Sequence, residues 1–227
     1  MATINATTAQ GGYIDCNLGA LFSTWEDVIL NGAGTAATLN GTYIYTEARY
    51  QGGRSAFWNC RRSSLVFDTS AITGTLTDLS LVIYVNAITS VPDAIVEVVG
   101  SPTLSTSLTT SDYLPYSYGA GSTSFSSAGN TWETITLNNT ALSRAETENE
   151  ITLQLRDAYY DYYYSTYLAD PIGTVNMEYR YNYASFIPYL DYTMTTGYGQ
   201  TVKGIIAASI GSVNGVAKAN ISKVIGV

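Results

Sequence analysis

Short runs in which apolar and polar residues alternate recur along the chain, separated by Gly, Pro, Asn, Asp and Ser residues. Alternation at period two is typical of β-strands with one buried face. Residues 2–16 suit an opening strand with a bend, and residues 17–41 suit a loop with one short strand. A short helix or turn is expected only within 138–149. The predicted strands that follow are 42–50, 61–67, 76–85, 94–99, 131–137, 150–156, 176–181 and 186–194.

The segment 61–72 is predicted to be a strand that ends in a turn. β-branched and aromatic residues favour the strand, and Asp68-Thr69-Ser70 favours the turn. Asp68 is expected to cap backbone amides there. The apolar segment 79–85 follows after Gly74, so the two strands are predicted to be neighbours in an antiparallel sheet.

This count of about eight to ten strands without a long helix predicts an all-β protein, an antiparallel β-sandwich or jelly roll. The predicted domain spans residues 1–196. Residues 197–227 form a C-terminal extension with a different, small and apolar composition.

Composition restricts the function classes. Charged residues make up only 12% of the chain, whereas there are 20 tyrosines, so Tyr, Ser, Thr, Asn and Gly must cover the surface. The net charge is −8 and the only lysines are Lys203, Lys218 and Lys223, in the extension. Nucleic acid is therefore not an expected partner, because a phosphate-binding face needs clustered Lys and Arg.

Histidine is absent from the sequence. This excludes Ser-His-Asp and Cys-His nucleophile arrangements and removes the most common metal ligand and general base. Cys16 and Cys60 are too few for a thiolate zinc site. A disulfide between them is geometrically possible, but two free buried thiols are favoured. We therefore expect no catalytic site, no cofactor and no metal site.

The chain begins Met-Ala-Thr-Ile-Asn, without a basic segment followed by an apolar one, and has no run of about 20 apolar residues. The expectation is a protein made in a cytoplasm, without a secretory signal or membrane span. An outside location would then be reached by another route, such as cell lysis.

Five motifs occur in an order that resembles DNRLRE-type and carbohydrate-binding-module-96-like jelly-roll domains. They are Arg-Ser-Ser-Leu-Val-Phe-Asp-Thr-Ser-Ala-Ile at 62–72, the apolar strand 79–85, the tryptophan-led strand 132–137, Ile-Thr-Leu-Gln-Leu-Arg at 151–156 and Pro-Tyr-Leu-Asp-Tyr-Thr at 188–193. The resemblance covers roughly residues 10–195. It implies a β-sandwich used as an extracellular accessory or adhesion module, in some cases sugar-binding.

The extension contains a repeat of Ile-x-x-Val-x-Gly-Val with an eleven-residue offset. Endings of this kind resemble those of bacteriophage virion proteins. A small apolar segment with a turn-forming Asn-Gly cannot bury itself alone, so it is predicted to pack against another chain or a copy of itself; a disordered extension is the alternative. The expected assembly residues are Ile210, Val213, Val216, Ile221, Val224 and Val227.

The highest density of tyrosine lies within 159–167. Tyr combines a flat apolar ring with a hydroxyl at low entropic cost, which suits adhesive surfaces. Glycan recognition, subunit contact and simple packing all remain open for the candidate residues Tyr159, Tyr160, Tyr162, Tyr163, Tyr164 and Tyr167.

Acidic residues near this segment suggest two weaker alternatives. Asp157, Asp161 and Asp170, with backbone carbonyls, would offer the hard oxygen ligands that Ca²⁺ prefers. Glu148 and Asp157 would be a paired-carboxylate glycosidase site. The spacing does not favour either alternative over surface charge.

The sequence therefore favours a non-enzymatic virion structural protein of a bacteriophage, displayed on the capsid or tail. It would assemble with other virion proteins and with copies of itself through residues 197–227. The alternative is a carbohydrate-binding or adhesion module that recognises glycans, for example on a host surface, through the tyrosine-rich segment. Neither alternative requires nucleic acid or a membrane.

Overall fold

The computed structural model describes residues 2–20, 23–90, 93–164, 170–183, 185–195, 212–213 and 216–217. Strands account for 51% of the structure and helices for 13%. The predicted all-β, antiparallel fold is confirmed. Thirteen strands form the main sheet, more than predicted, because four short strands lie in segments expected to be loops or parts of longer strands.

In chain order the strands are β1 (Ala2–Asn5), β2 (Gly12–Gly19), β3 (Ala36–Leu39), β4 (Tyr43–Gln51), β5 (Phe57–Asp68), β6 (Thr75–Thr89), β7 (Asp93–Val99), β8 (Ser117–Ala120), β9 (Phe125–Ser126), β10 (Thr131–Thr136), β11 (Glu150–Asp157), β12 (Thr174–Arg180) and β13 (Tyr189–Thr195). Strands such as β12 alternate between buried and partly exposed residues, whereas β5, β7 and β11 are buried along most of their length.

Helical structure is confined to short connections. Helix α1 (Trp25–Ile29) follows β2, and helix α2 (Asn139–Thr147) follows β10, within the segment where a helix or turn was predicted. A 3₁₀ turn at Thr110–Tyr113 and one π-helical turn at Ala158–Tyr162 complete the set in the described chain.

The main path of the sheet runs β1-β13-β6-β12-β4-β5-β11-β7-β8, with every pairing antiparallel. β10 pairs with β6, β9 with β7, and β2 with both β5 and β3. One large apolar core, to which β5, β6, β11 and β12 all contribute, stabilises the sheet.

The prediction that β5 and β6 pair with each other is wrong. β5 pairs with β2, β4 and β11, whereas β6 pairs with β10, β12 and β13. The connection between them is longer than a tight hairpin, and Ile72 within it is buried in the core. The predicted turn itself is present, since Asp68 accepts a hydrogen bond from the Ser70 amide at 3.0 Å.

Residues 17–41 contain a helix as well as the expected short strand, β3. Thr24 and Asp27 form a capping box in which each side chain bonds the other residue's backbone amide, at 3.2 Å and 2.6 Å. This motif satisfies the first free amides of α1. The helix buries Trp25, Val28 and Ile29.

A second, smaller core lies between α1, β2, β5 and the 3₁₀ turn. Cys16 and Cys60 face each other in it as register partners of β2 and β5. Both thiols are buried and free, as the sequence analysis favoured. Burial raises the pKa of both.

In the extension, only Ser212–Val213 (β14) and Val216–Ala217 (β15) are described. They pair antiparallel, with Val213 opposite Val216. The other predicted assembly residues, Ile210, Ile221, Val224 and Val227, lie outside the described residues, so assembly through the extension stays a prediction.

Candidate functional site

The tyrosine-rich segment begins at the end of β11, where Asp157 accepts the Tyr160 amide at 2.6 Å and starts the π-helical turn. Tyr160 and Tyr164 pack against the smaller core, and the Tyr160 carbonyl accepts the Trp25 indole N–H at 2.7 Å. Packing therefore accounts for both of these rings. Tyr162 and Tyr163 are half-buried, with their rings edge-to-face at 5.0 Å.

Tyr159 is the one exposed ring among the described members of this segment, at 42% of its full exposure. Tyr167 lies outside the described residues. The described part of the segment therefore presents a single exposed ring instead of a row of rings. Its role in binding a ligand or partner stays a prediction.

A buried ionic cluster holds this turn in place. Asp161 bonds Arg62 at 2.6 and 2.8 Å and Arg156 at 2.6 and 3.0 Å. The side chains of Arg62 and Asp161 are fully buried. Arg156 also pairs with Glu97 at 2.8 Å. The two guanidinium groups hold the pKa of the Asp161 carboxyl well below its usual range despite burial.

Arg62 also links three separate segments that connect the strands. Its guanidinium donates to the carbonyls of Ile29 at 2.7 Å and Tyr113 at 2.8 Å, and its guanidinium carbon lies 4.1 Å from the centroid of the Tyr113 ring. The Arg62 nitrogens that donate these hydrogen bonds are all buried. Sequence reasoning had placed Arg62 only in a family motif, and its role here is to fix α1, the 3₁₀ turn and the π-helical turn.

The two weaker proposals for the acidic residues find no support in this geometry. Asp161 is neutralised by two arginines and Asp157 caps a turn, and no group of three His, Cys, Asp or Glu side chains in the described chain could hold a metal ion. Asp157 ends β11, whereas Glu148 precedes its first residue, Glu150, and the strand between them is about 24 Å long. A glycosidase pair needs a separation of roughly 5–10 Å, so that pairing is wrong.

Asp157 itself is unusual, because it is 2% exposed. Desolvation is the largest effect and raises the pKa of Asp157 to about 7, against the opposing effect of backbone amides that donate to it. The nearby Asp161 and Asp93 charges raise it further. This carboxyl therefore titrates near neutral pH.

Another group of aromatic rings, with Trp132 and Tyr183 exposed and the others half-buried, lies on the outer face of β6 and β10. We define the Trp132 platform as Tyr84, Trp132, Tyr183, Phe186 and Tyr189. Trp132 and Phe186 are nearly parallel, with centroids 5.8 Å apart, and Tyr84 contacts both at 5.5 and 4.5 Å. Trp132 retains 39% and Tyr183 44% of full exposure.

The platform adjoins an open cleft of about 320 Å³. The rings of Trp132 and Tyr189 line the cleft together with hydroxyl and amide groups. Its lining residues are Thr3, Asn5, Trp132, Ser185, Ile187 and Tyr189. Ring faces beside short polar side chains form a surface that can stack a ring and hydrogen-bond its substituents.

Arg180 supports the platform from β12. Its guanidinium carbon lies 4.5 Å from the Tyr183 centroid and 4.7 Å from that of Phe186. Its Nε donates to Asn86 at 3.0 Å. Among the described residues no carboxylate forms a salt bridge with Arg180, and its guanidinium packs against aromatic rings instead.

Sequence reasoning missed this platform, although the signal was present. In 131–137 the apolar Ile135 and Leu137 mark the inward positions, which places Trp132 on the outward face. In β6 the inward Leu81 and Ile83 leave Tyr84 outward in the same way. A single outward aromatic residue is ordinary, but several on neighbouring strands form a patch of the kind that marks an interaction site.

No protein family model matches the chain. No curated protein matches it either. Within its described part, no helix is both long and apolar enough to cross a lipid bilayer.

Proposed function

We propose that this chain is a non-enzymatic glycan-binding module whose binding surface is the Trp132 platform and the adjoining cleft. The observation that carries the proposal is a partly exposed tryptophan, nearly parallel to Phe186, on the outer face of a rigid sheet. A site on paired strands keeps its rings in position at low entropic cost.

The chemistry of the surface suits a sugar. The C–H face of a pyranose is apolar and packs on an aromatic ring, while its hydroxyl groups need donors and acceptors at the edge. Thr3, Asn5 and Ser185 supply such groups in the cleft. The Arg180 guanidinium adds a positive charge beside Tyr183 and Phe186. The resemblance to carbohydrate-binding jelly-roll domains supports the same function but places no ligand residue.

The experiment is a glycan array covering bacterial-surface, plant and animal oligosaccharides, followed by titration calorimetry of the best ligand. Trp132→Ala is expected to reduce affinity at least tenfold, and Trp132→Phe to reduce it less, because part of the stacking area remains. Tyr116→Ala is the matched control, since Tyr116 is 73% exposed but lies outside the platform.

A fluorescence measurement tests the location directly. Of the three tryptophans, Trp25 is fully buried, Trp58 is half-buried and Trp132 is exposed, so acrylamide should quench Trp132 most, and Trp132→Phe should remove that component. A bound glycan should protect Trp132. Binding that survives Trp132→Ala unchanged would contradict the proposed site, and the absence of binding to any glycan would contradict the function.

A second function, a bacteriophage virion subunit that assembles through residues 197–227, rests on the eleven-residue repeat and on the β14–β15 pairing within its first copy. The two functions are compatible, because a module on a particle surface can bind glycans. Light scattering of the full chain should give a stable multimer that becomes monomeric when residues 197–227 are deleted. A full-length monomer would count against this function.

A further inference from the structure

The same face of the sheet continues beyond the Trp132 platform as a line of aromatic and arginine side chains, of which the tyrosines are half-buried. We define the aromatic strip as Trp132, Tyr84, Arg180, Tyr45, Arg61 and Tyr13. These residues lie on β10, β6, β12, β4, β5 and β2, which are consecutive neighbours in the sheet. With a strand spacing of about 4.8 Å, six strands span about 24 Å.

Contacts and strand register link the members of the strip. Arg180 donates to Asn86 at 3.0 Å, and Asn86 donates in turn to Glu178. Glu178 is the register partner of Tyr45 across β12 and β4, and the Arg61 guanidinium carbon lies 5.2 Å from the centroid of the Tyr45 ring. The two rings at the far end therefore belong to the same surface as the Trp132 platform.

The far end repeats the chemistry of the platform. The rings of Tyr13 and Tyr45 are edge-to-face at 5.1 Å, and the guanidinium carbon of Arg61 lies 5.6 Å from the Tyr13 centroid. Arg61 is held by Asp15 and by Glu47, which is only 4% exposed. Burial and the Glu178 charge raise the pKa of Tyr45 to about 12, so its hydroxyl remains protonated at neutral pH.

We infer that the ligand is a linear polysaccharide that lies across the strands, and that Tyr13 and Tyr45 form a second stacking subsite for the same chain. The inference rests on the proposed function. A single terminal sugar would occupy only the Trp132 platform. Aromatic rings and hydrogen-bond donors recur along about 24 Å of this surface. Such a surface matches a polymer in which sugar units recur.

The test uses oligosaccharide ladders, namely cello-, xylo-, chito- and uronate oligomers from disaccharide to hexasaccharide. For the ladder that binds, wild-type affinity should rise at least tenfold from disaccharide to hexasaccharide. Tyr45→Ala and Tyr13→Ala should remove most of this rise. Tyr45→Phe keeps the ring and should retain the rise, which separates the loss of the ring from the loss of the hydroxyl group.

The controls distinguish the possible failures. Thermal unfolding of each variant shows whether it folds, and the wild-type ladder tests length dependence without any substitution. Equal wild-type affinity for short and long oligomers, or Tyr45→Ala and Tyr13→Ala variants that keep the full rise, would overturn the second subsite while leaving the platform intact. Failure of every ladder to bind the wild type would overturn the glycan function and the subsite together.

Discussion

Replacing Asp161 by Asn tests whether the buried ionic cluster holds the connections of the smaller core together. Asp161 accepts four charge-assisted hydrogen bonds, two from Arg62 and two from Arg156. The substitution keeps the shape of the side chain but leaves Arg62, which is fully buried, without its counter-charge. Breaking a buried ion pair on one side costs roughly 3–5 kcal/mol of folding free energy.

The expected loss is therefore about 3–5 kcal/mol in the free energy of unfolding, measured by urea denaturation at neutral pH. For a chain of this size this lowers Tm by roughly 6–20 °C. Glu148→Gln is the matched control. It removes the partner of Arg144 in an ion pair whose side chains are 30% and 45% exposed, so it should change stability by at most about 0.5 kcal/mol.

A pH series adds an independent check. The pKa of Asp161 is lowered in the folded state, so its contribution is present above the ordinary Asp pKa of about 3.9 and is lost as the pH falls through the folded value. The stability difference between wild type and Asp161→Asn should therefore shrink in acid. A loss below about 1 kcal/mol at neutral pH, similar to that of the control, would refute the argument from burial.

Two further predictions concern buried titratable groups. The pKa of Asp157 is raised to about 7, so its favourable contribution is full below pH 4 and is lost as the pH rises through 7. Asp157→Asn should become more stable than wild type, by at most about 4 kcal/mol, at about pH 8 but not at about pH 4, in denaturation experiments; equal curves at both pH values would contradict this. Cys16 and Cys60 should resist a thiol reagent in the native protein and react fully after unfolding, and rapid native labelling would contradict their burial.

Local patterns predicted most strands because alternation is a property of the extended backbone itself. The prediction of 150–156 as a strand corresponds to Glu150–Asp157, and Asp68 caps its turn as expected. Helix α1 was missed although Thr24 and Asp27 carry a capping signal, because five helical residues give too little periodicity to outweigh the β-prone residues Val28 and Ile29.

The candidate site depended on positions far apart in the chain. Trp132 could be placed outward from its own strand, but Phe186 comes from a loop 54 residues later. Tyrosine density directed attention to 159–167, where the geometry instead buries Tyr160 and Tyr164 in part. A high density of tyrosine in the sequence does not predict exposed rings. Here the buried ion pair between Asp161 and Arg62 holds the turn against the protein.

The sequence by itself determined the all-β class, the strand positions and the inward or outward direction of side chains such as Trp132, since these follow from local backbone geometry. Only the tertiary structure decided that β5 and β6 do not pair, and that Arg62 is buried while its neighbour Arg61 lies on the outer face. The partners of these arginines, Asp161 and Glu47, are 99 and 14 residues away. Strand order and ionic partners depend on long-range packing, which no local pattern specifies.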